Sequence, residues 1–341
     1  MIPEPVAIIG GGAWGTALAV NLGRRGVPVR LWMHEDDLVR RMLERRDNPV
    51  YLPGVEIPDT VTPTHEIAAA ISGVSLVVFA VPTPFARAVH GALARRIAPR
   101  VPVVVATKGI EEDTLLLPTE VAASCLASET PVAAMCGPSF AEEVARGVPT
   151  AVVVAATDAA LARAIQVRLS GETLRLYTNA DVVGVQIAAA LKNVVAIAAG
   201  IADGLGFGHN TLAALITRGL AEIRRLGVAR GALPDTFSGL ASLGDLVLTC
   251  TGGLSRNRQV GQALGRGERL GDVIGRMPHV AEGVRTARSA RDLAREAGVE
   301  MPIVEEVYRI LYEDGVPREA VRRLMARPLG SEDRVLNESA P

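Results

Sequence analysis

The sequence predicts an α/β fold in two parts, a doubly wound and mostly parallel sheet over residues 1–180 followed by an all-α domain over residues 181–341. Three observations carry this. Short β-branched runs alternate with helix-forming stretches through the first half of the chain. Those runs are continuously apolar, so the strands are buried on both faces, which requires helices above and below a parallel sheet. After about Asp181 the runs stop, and long Ala/Leu/Ile/Gly segments with a helical period take over.

In order, strands are expected at Val6–Ile9, Val27–Trp32, Leu76–Ala80, Val103–Ala106, Val132–Met135 and Ala151–Ala155, each too short for a helix. Helices are expected between them at Thr16–Arg24, Phe85–Arg96, Leu117–Leu126, Phe140–Arg146 and Ala159–Leu169. Tyr177-Thr178-Asn179-Ala180 reads as a strand end turning into a helix, which sets the domain boundary near residue 180 without a flexible linker. Beyond it, helices are expected at Asp181–Ile201, Thr211–Leu226, Asn257–Leu264, Arg285–Ala297 and Pro302–Tyr312. Pro302 suits a first helical position, and Gly227 and Gly298 suit C-terminal caps.

The composition agrees with two globular cores. Of 341 residues, 49% are apolar and 21% charged, with a net charge of -1, and single domains usually stop growing near ~250 residues. A disordered tail, a coiled coil and a disulfide scaffold are excluded, and there is no basic footprint for nucleic acid. Cys125, Cys136 and Cys250 are far apart, with no histidine at ligand spacing, so neither metal nor disulfide is expected and the thiols read as buried in a reducing cytosol. Met1 to Pro5 leads straight into an apolar strand without the features of a signal peptide, and the apolar stretch Val182–Gly208 is broken by Lys192 and Asp203. A cytoplasmic protein without membrane insertion follows, and its apolar second-domain helices are compatible with a homodimer. Among 36 basic side chains only two are lysines, Lys108 and Lys192.

Gly10-Gly11-Gly12-Ala13-Trp14-Gly15 fits Gly-x-Gly-x-x-Gly between the first strand and the first helix. There Gly10 permits a tight turn, Gly12 admits a pyrophosphate to the backbone, and Gly15 lets the helix pack closely, as in a Rossmann-type dinucleotide site. The second strand ends at His34 without a fixed acid, and Glu35 and Asp36 follow. His34 is equally an adenine or 2′-phosphate contact or an exposed loop residue, so the cofactor reads as NAD or NADP.

Six motifs in one order carry a resemblance: Gly10-x-Gly12-x-Trp14-Gly15-x-Ala17-Leu18-Ala19, Ala106-Thr107-Lys108-Gly109, Gly137-Pro138-Ser139-Phe140-Ala141-Glu142-Glu143, Leu191-Lys192-Asn193-Val194, Gly244-Asp245-Leu246 and Ser255-Arg256-Asn257-Arg258. From about residue 5 to 325 the chain resembles the bacterial NAD(P)-dependent glycerol-3-phosphate dehydrogenases, whose fold is 6-phosphogluconate-dehydrogenase-like. One departure is Ser242, which stands where the family pattern has glycine. The resemblance implies reversible hydride transfer between a nicotinamide and C2 of dihydroxyacetone phosphate, giving sn-glycerol 3-phosphate for glycerophospholipid synthesis.

Such a reaction needs a proton donor, an anion site and a fixed distance to the cofactor. Lys192 interrupts an apolar helix, where burial lowers a lysine pKa toward the range of a general acid-base, and the resemblance makes it the proton acceptor. Asp245 reads either as its charged partner or as a helix cap, and Thr249, four residues on, shares its face. Ser255, Arg256 and Asn257 open a helix with a cap, a guanidinium fork and an amide, an arrangement suited to phosphate. Lys108 follows a strand and projects from the carboxyl edge of the sheet, in reach of nicotinamide ribose and substrate oxygen. Gly137 and Ser139 end the next strand and offer donors to substrate, with Ala141 near the cofactor. Val280 and Glu282 match positions that the resemblance places over the nicotinamide, together with Arg256. A hydroxy-acid dehydrogenase of the same plan and a non-catalytic NAD(P)H-binding module are the competing readings. The first needs a carboxylate site in place of a phosphate site, and the second has no use for Lys192.

Overall fold

The computed structural model describes residues 4–277, 281–329 and 331. By internal contacts the chain forms two compact units, Met1–Thr107 with Pro118–Val182, and Lys108–Leu117 with Val183–Pro341. A single cut at residue 180 therefore misses an exchange. Segment 108–117 goes with the helical unit because Ile110 and Leu117 are buried in the same apolar cluster as Leu191, Val194 and Val195.

The first unit contains β1 (Val6–Ile9), β2 (Val29–Trp32), β3 (Asp47–Asn48), β4 (Leu52–Glu56), β5 (Val61–Thr64), β6 (Leu76–Phe79), β7 (Val103–Val105), β8 (Val132–Cys136), β9 (Thr150–Ala155) and β10 (Leu174–Asn179). Eight of them form one sheet in the order β10-β9-β8-β7-β6-β1-β2-β5, while β3 and β4 pair apart as an antiparallel ribbon. From β5 to β8 the sheet is parallel; β9 runs antiparallel to β8, and β10 follows β9. Alternate residues of β1 explain the continuous hydrophobicity. Val6 and Ile8 enter one apolar cluster and Ala7 and Ile9 another, all fully buried, so both faces of the sheet are covered. Strand order reverses between β1 and β6, which is the switch point where the carboxyl ends of such sheets open for ligands.

Strands β3, β4 and β5 have no counterpart among the expected strands, and of β10 only its end near Tyr177 was expected. Edge strands β5 and β10 alternate buried and exposed residues and β5 carries Pro63, so neither shows a continuous apolar run. The first helix, Ala13–Arg24, also begins three residues before its apolar pattern, because Gly12 serves as its N-cap.

In the second unit the helices are Val182–Gly204, His209–Ala229, Asp245–Thr251, Arg256–Gly265, Leu270–Arg276, Glu282–Glu296, Pro302–Tyr312 and Pro317–Met325. Among the described residues only Val182–Gly204 is long and apolar enough to cross a membrane, and 83% of its apolar window is buried inside the fold. It is a core helix, apolar on all sides because other helices surround it. Gly227 does not cap its helix, which continues to Ala229. A Cβ there would fall 2.1 Å from Phe237 Cζ, so the glycine admits an aromatic ring. Gly298 does follow its helix in the left-handed region, with φ +65°.

Candidate active site

The helical unit gathers three predicted side chains around a fourth, the Asp245 carboxylate. Lys192 Nζ donates to Asp245 Oδ1 at 2.6 Å and to Thr249 Oγ1 at 2.8 Å, and Lys108 Nζ donates to Asp245 Oδ2 at 3.0 Å. Asp245 is 1% exposed and Lys192 6%. An ionised carboxylate at that depth needs charged partners, and here it has two. Asp245 does not cap its helix: it is the first residue of Asp245–Thr251, reached through a π-turn in which Gly244 N–H donates to the Gly239 carbonyl at 3.2 Å. One turn on, the Thr249 hydroxyl donates to the Asp245 carbonyl at 2.6 Å, so it meets Lys192 as an acceptor. Ser242 lies in the π-turn, deeply buried and outside the left-handed region, so this position does not need a glycine for its backbone. Burial drives the Lys192 ammonium down to about 8; Asp245 opposes this and the Lys108 ammonium reinforces it.

Arg256–Gly265 is held against Val182–Gly204 by glycines. A Cβ on Gly200 would lie 2.0 Å from the Arg258 carbonyl oxygen, on Gly204 2.3 Å from Gln262 O, on Gly261 2.0 Å from Ile197 O and on Gly265 2.4 Å from Ile201 O. The two backbones touch, and the contacts advance together, so the helices are parallel. Toward their N-termini the two helices meet at Gly283, where a Cβ would lie 2.7 Å from both Asn193 O and Asn257 Oδ1. At the open end Ser255 Oγ accepts from Arg258 N–H at 3.3 Å, Arg256 is exposed, and Asn257 is buried. Burial pushes the Glu282 carboxyl up, while Arg256, Lys108 and Lys192 pull the other way. Val280 lies outside the described residues.

The remaining predicted residues belong to the sheet unit. Gly10 has φ +118°, and a Cβ on it would lie 2.7 Å from Ala80 O; one on Gly15 would lie 1.8 Å from Gly10 O. The turn and the helix behind it therefore require glycine at both places. At Gly12 a Cβ would meet nothing within 4 Å, and the helix has no side-chain cap. The helix start is thus open beside Gly12 and its first N–H groups have no side-chain acceptor, which fits a dinucleotide pyrophosphate. Trp14 packs against the core and His34 is exposed beyond β2. After β8, Gly137 has φ +147°, Ser139 Oγ donates to Gly137 O at 3.0 Å, and Ala141 begins the Ala141–Ala145 helix packed on the core.

Residues 5–162 match the NAD-dependent glycerol-3-phosphate dehydrogenase N-terminus and residues 181–322 match the C-terminus of the same enzymes. The chain belongs to this family. It is 52% identical over 331 residues to the glycerol-3-phosphate dehydrogenase (NAD(P)+) of Geobacter sulfurreducens, covering 96% of this chain and 99% of that protein. The protein of that name from Citrifermentans bemidjiense is 50% identical over the same shares. A solved glycerol-3-phosphate dehydrogenase from Coxiella burnetii has a TM-score of 0.92 at 40% identity, covering 96% of this chain and all of that one.

Several residues of this glycerol-3-phosphate dehydrogenase family member support the sites and were not singled out from sequence. Asn48 is buried; its Nδ2 donates to Gly11 O at 3.1 Å and to Thr16 Oγ1 at 2.9 Å, while Tyr51 N–H donates to its Oδ1 at 3.1 Å. It fastens the β3–β4 ribbon to the glycine turn. The Asn48-Pro49 pair signals a turn, but nothing in the sequence pairs it with a carbonyl 37 positions earlier. Nothing in the sequence pairs Gly200 and Gly204 with Gly261 and Gly265, whose contacts join the two helices.

Proposed function

We propose that this chain reversibly reduces dihydroxyacetone phosphate at C2 to sn-glycerol 3-phosphate with NAD or NADP, in the cytoplasm and for glycerophospholipid synthesis, and that it acts as a homodimer. The observation that carries this reading is the buried Lys192–Asp245–Thr249 group, joined by Lys108, with the Lys192 helix packed against the one that Ser255, Arg256 and Asn257 open. When bound, the nicotinamide supplies or accepts the hydride. In reduction the Lys192 ammonium protonates the C2 oxygen; in oxidation its amine takes that proton back. Asp245 fixes both lysines, and Thr249, accepting from Lys192, sets the ammonium's direction. Lys108 supplies a second positive donor to the substrate oxygen and the cofactor ribose. Ser255, Arg256 and Asn257 hold the phosphate, Gly137 and Ser139 the rest of the substrate. Gly10, Gly12, Ala13, Trp14, Gly15 and His34 receive the dinucleotide, with Ala141, Arg256, Val280 and Glu282 toward the nicotinamide.

Steady-state oxidation of NADH and NADPH with dihydroxyacetone phosphate, and with carboxylate analogues, tests the reading. Arg256→Ala should raise KM for dihydroxyacetone phosphate by about 10- to 100-fold, the loss of a charge-assisted fork. An unchanged KM, or better turnover of a hydroxy-acid pair, rejects the phosphate site. Lys192→Arg keeps the charge and cannot release a proton, so turnover should be lost while cofactor binding persists. A binding module would be indifferent to it.

A further inference from the structure

Helix Glu282–Glu296 has no cap of its own. Its N-cap residue is Ala281, and the N–H of Gly283, the second helical residue, is one of the donors that a helix start leaves without an intrahelical partner. Asn257 of another helix takes that donor, with Gly283 N–H to Asn257 Oδ1 at 2.9 Å and buried. Because an N–H requires an acceptor, this bond fixes the orientation of the carboxamide. The Asn257 NH2 makes no hydrogen bond among the described residues and is the end left for a ligand.

We propose that Gly283 is a positioning residue for the substrate phosphate: by holding Asn257 through its oxygen it presents the amide NH2 as a donor to the anion, beside the helix that carries Lys192. The inference rests on the reading of Ser255, Arg256 and Asn257 as the phosphate grip. Gly283 must be glycine for the same geometry. A methyl group there would press within 2.7 Å of both Asn193 O and Asn257 Oδ1, and the first is backbone that cannot turn aside. Any side chain would therefore part the phosphate grip from the helix that carries the proton donor.

Asn257→Asp separates the two ends of the amide. Its carboxylate still accepts from Gly283 N–H, so the melting temperature should stay close to that of the original chain, but it offers an anion no donor. KM for dihydroxyacetone phosphate and the inhibition constant of inorganic phosphate should both rise by about tenfold or more, with kcat changing far less. Gly283→Ala should raise the same two constants. Amide exchange at Gly283 should be slow in the original chain and in Asn257→Asp, and fast in Asn257→Leu, which reads the bond itself even where Gly283→Ala fails to fold. If Arg256→Ala raises KM while Asn257→Asp does not, the orientation is wrong and the phosphate site stands. If neither raises it, the phosphate site itself is wrong. Slow Gly283 exchange in Asn257→Leu overturns the positioning role.

Discussion

Asp245 divides one negative charge between two ammonium groups that stand in unlike surroundings. Lys108 keeps an 18% exposed side chain, so water shares its charge, whereas Lys192 is enclosed with a side chain 7% exposed and has Asp245 and Thr249 as its partners. Burial brings its pKa down to about 8, against the pull of Asp245. The sign for the reaction follows. In the proposed reaction, reduction uses the ammonium, so its rate should fall as pH rises through about 8, and oxidation uses the amine, so its rate should rise over the same window. Asp245→Asn removes the charge that favours the ammonium, leaving burial and Lys108 to act together. Both limbs should then move to lower pH by about one unit or more, with kcat in each direction followed against pH. A profile that stays in place would separate the proton step from Lys192.

At the scale of elements, helices are fixed to one another by groups that lie outside their own sequence. The Pro302–Tyr312 helix starts after Met301, which cannot cap, and its first N–H groups are taken by a buried carboxylate: Ile303 and Val304 donate to Glu222 at 2.8 and 3.3 Å. Asn257 does the same for Glu282–Glu296. Neither cap was legible in the sequence, because capping patterns are local and these partners are 81 and 26 positions away. Legible elements were those whose whole length faces a core, such as β1, the first glycine turn and the Lys192 helix. The edge strands, the short Asp245 helix behind its π-turn and the β3–β4 ribbon owe their shape to neighbours, and their own residues alternate or are too few to signal it. The glycine contacts give this a measurable consequence. Gly91 lies in the Thr83–Ala94 helix, and a Cβ there would meet nothing within 4 Å, so Gly91→Ala should gain about 0.5–1 kcal/mol of stability from helix propensity. Gly200→Ala has the same propensity gain, but its Cβ would lie 2.0 Å from a carbonyl oxygen. The resulting overpacking costs about 1–3 kcal/mol or more, so the net effect should be destabilising. Denaturant midpoints measure both signs. Because this contact joins the helix that carries Lys192 to the helix that starts at Arg256, Gly200→Ala should lower kcat/KM where Gly91→Ala does not.

For the whole molecule, the distribution of basic residues separates structural from chemical charge. Guanidinium groups carry the surface and interhelical ion pairs, as where Arg291 meets Glu305 at 2.9 Å and Arg323 meets Glu306 at 2.7 Å. The two lysines of the chain instead meet on one buried aspartate. An Arg cannot give up its proton at any working pH, so these two amines are the basic side chains that the proposed proton transfer can use. Sequence counting picked out the two lysines, and only the fold could bring them to Asp245, since Lys108, Lys192 and Asp245 are separated by 84 and 53 positions or more. The chemistry of the two amines is directly accessible. An amine-selective acylating reagent has only Lys108, Lys192 and any free α-amino group to modify, because guanidinium does not react under those conditions. Modification near pH 8, where the Lys192 amine is substantially unprotonated, should remove turnover in step with the appearance of an adduct on Lys192 or Lys108 in peptide mass spectra. sn-Glycerol 3-phosphate should slow both together. Adducts on both lysines with turnover intact would mean that this pairing of amines on Asp245 is structural, and would return the proton to another group.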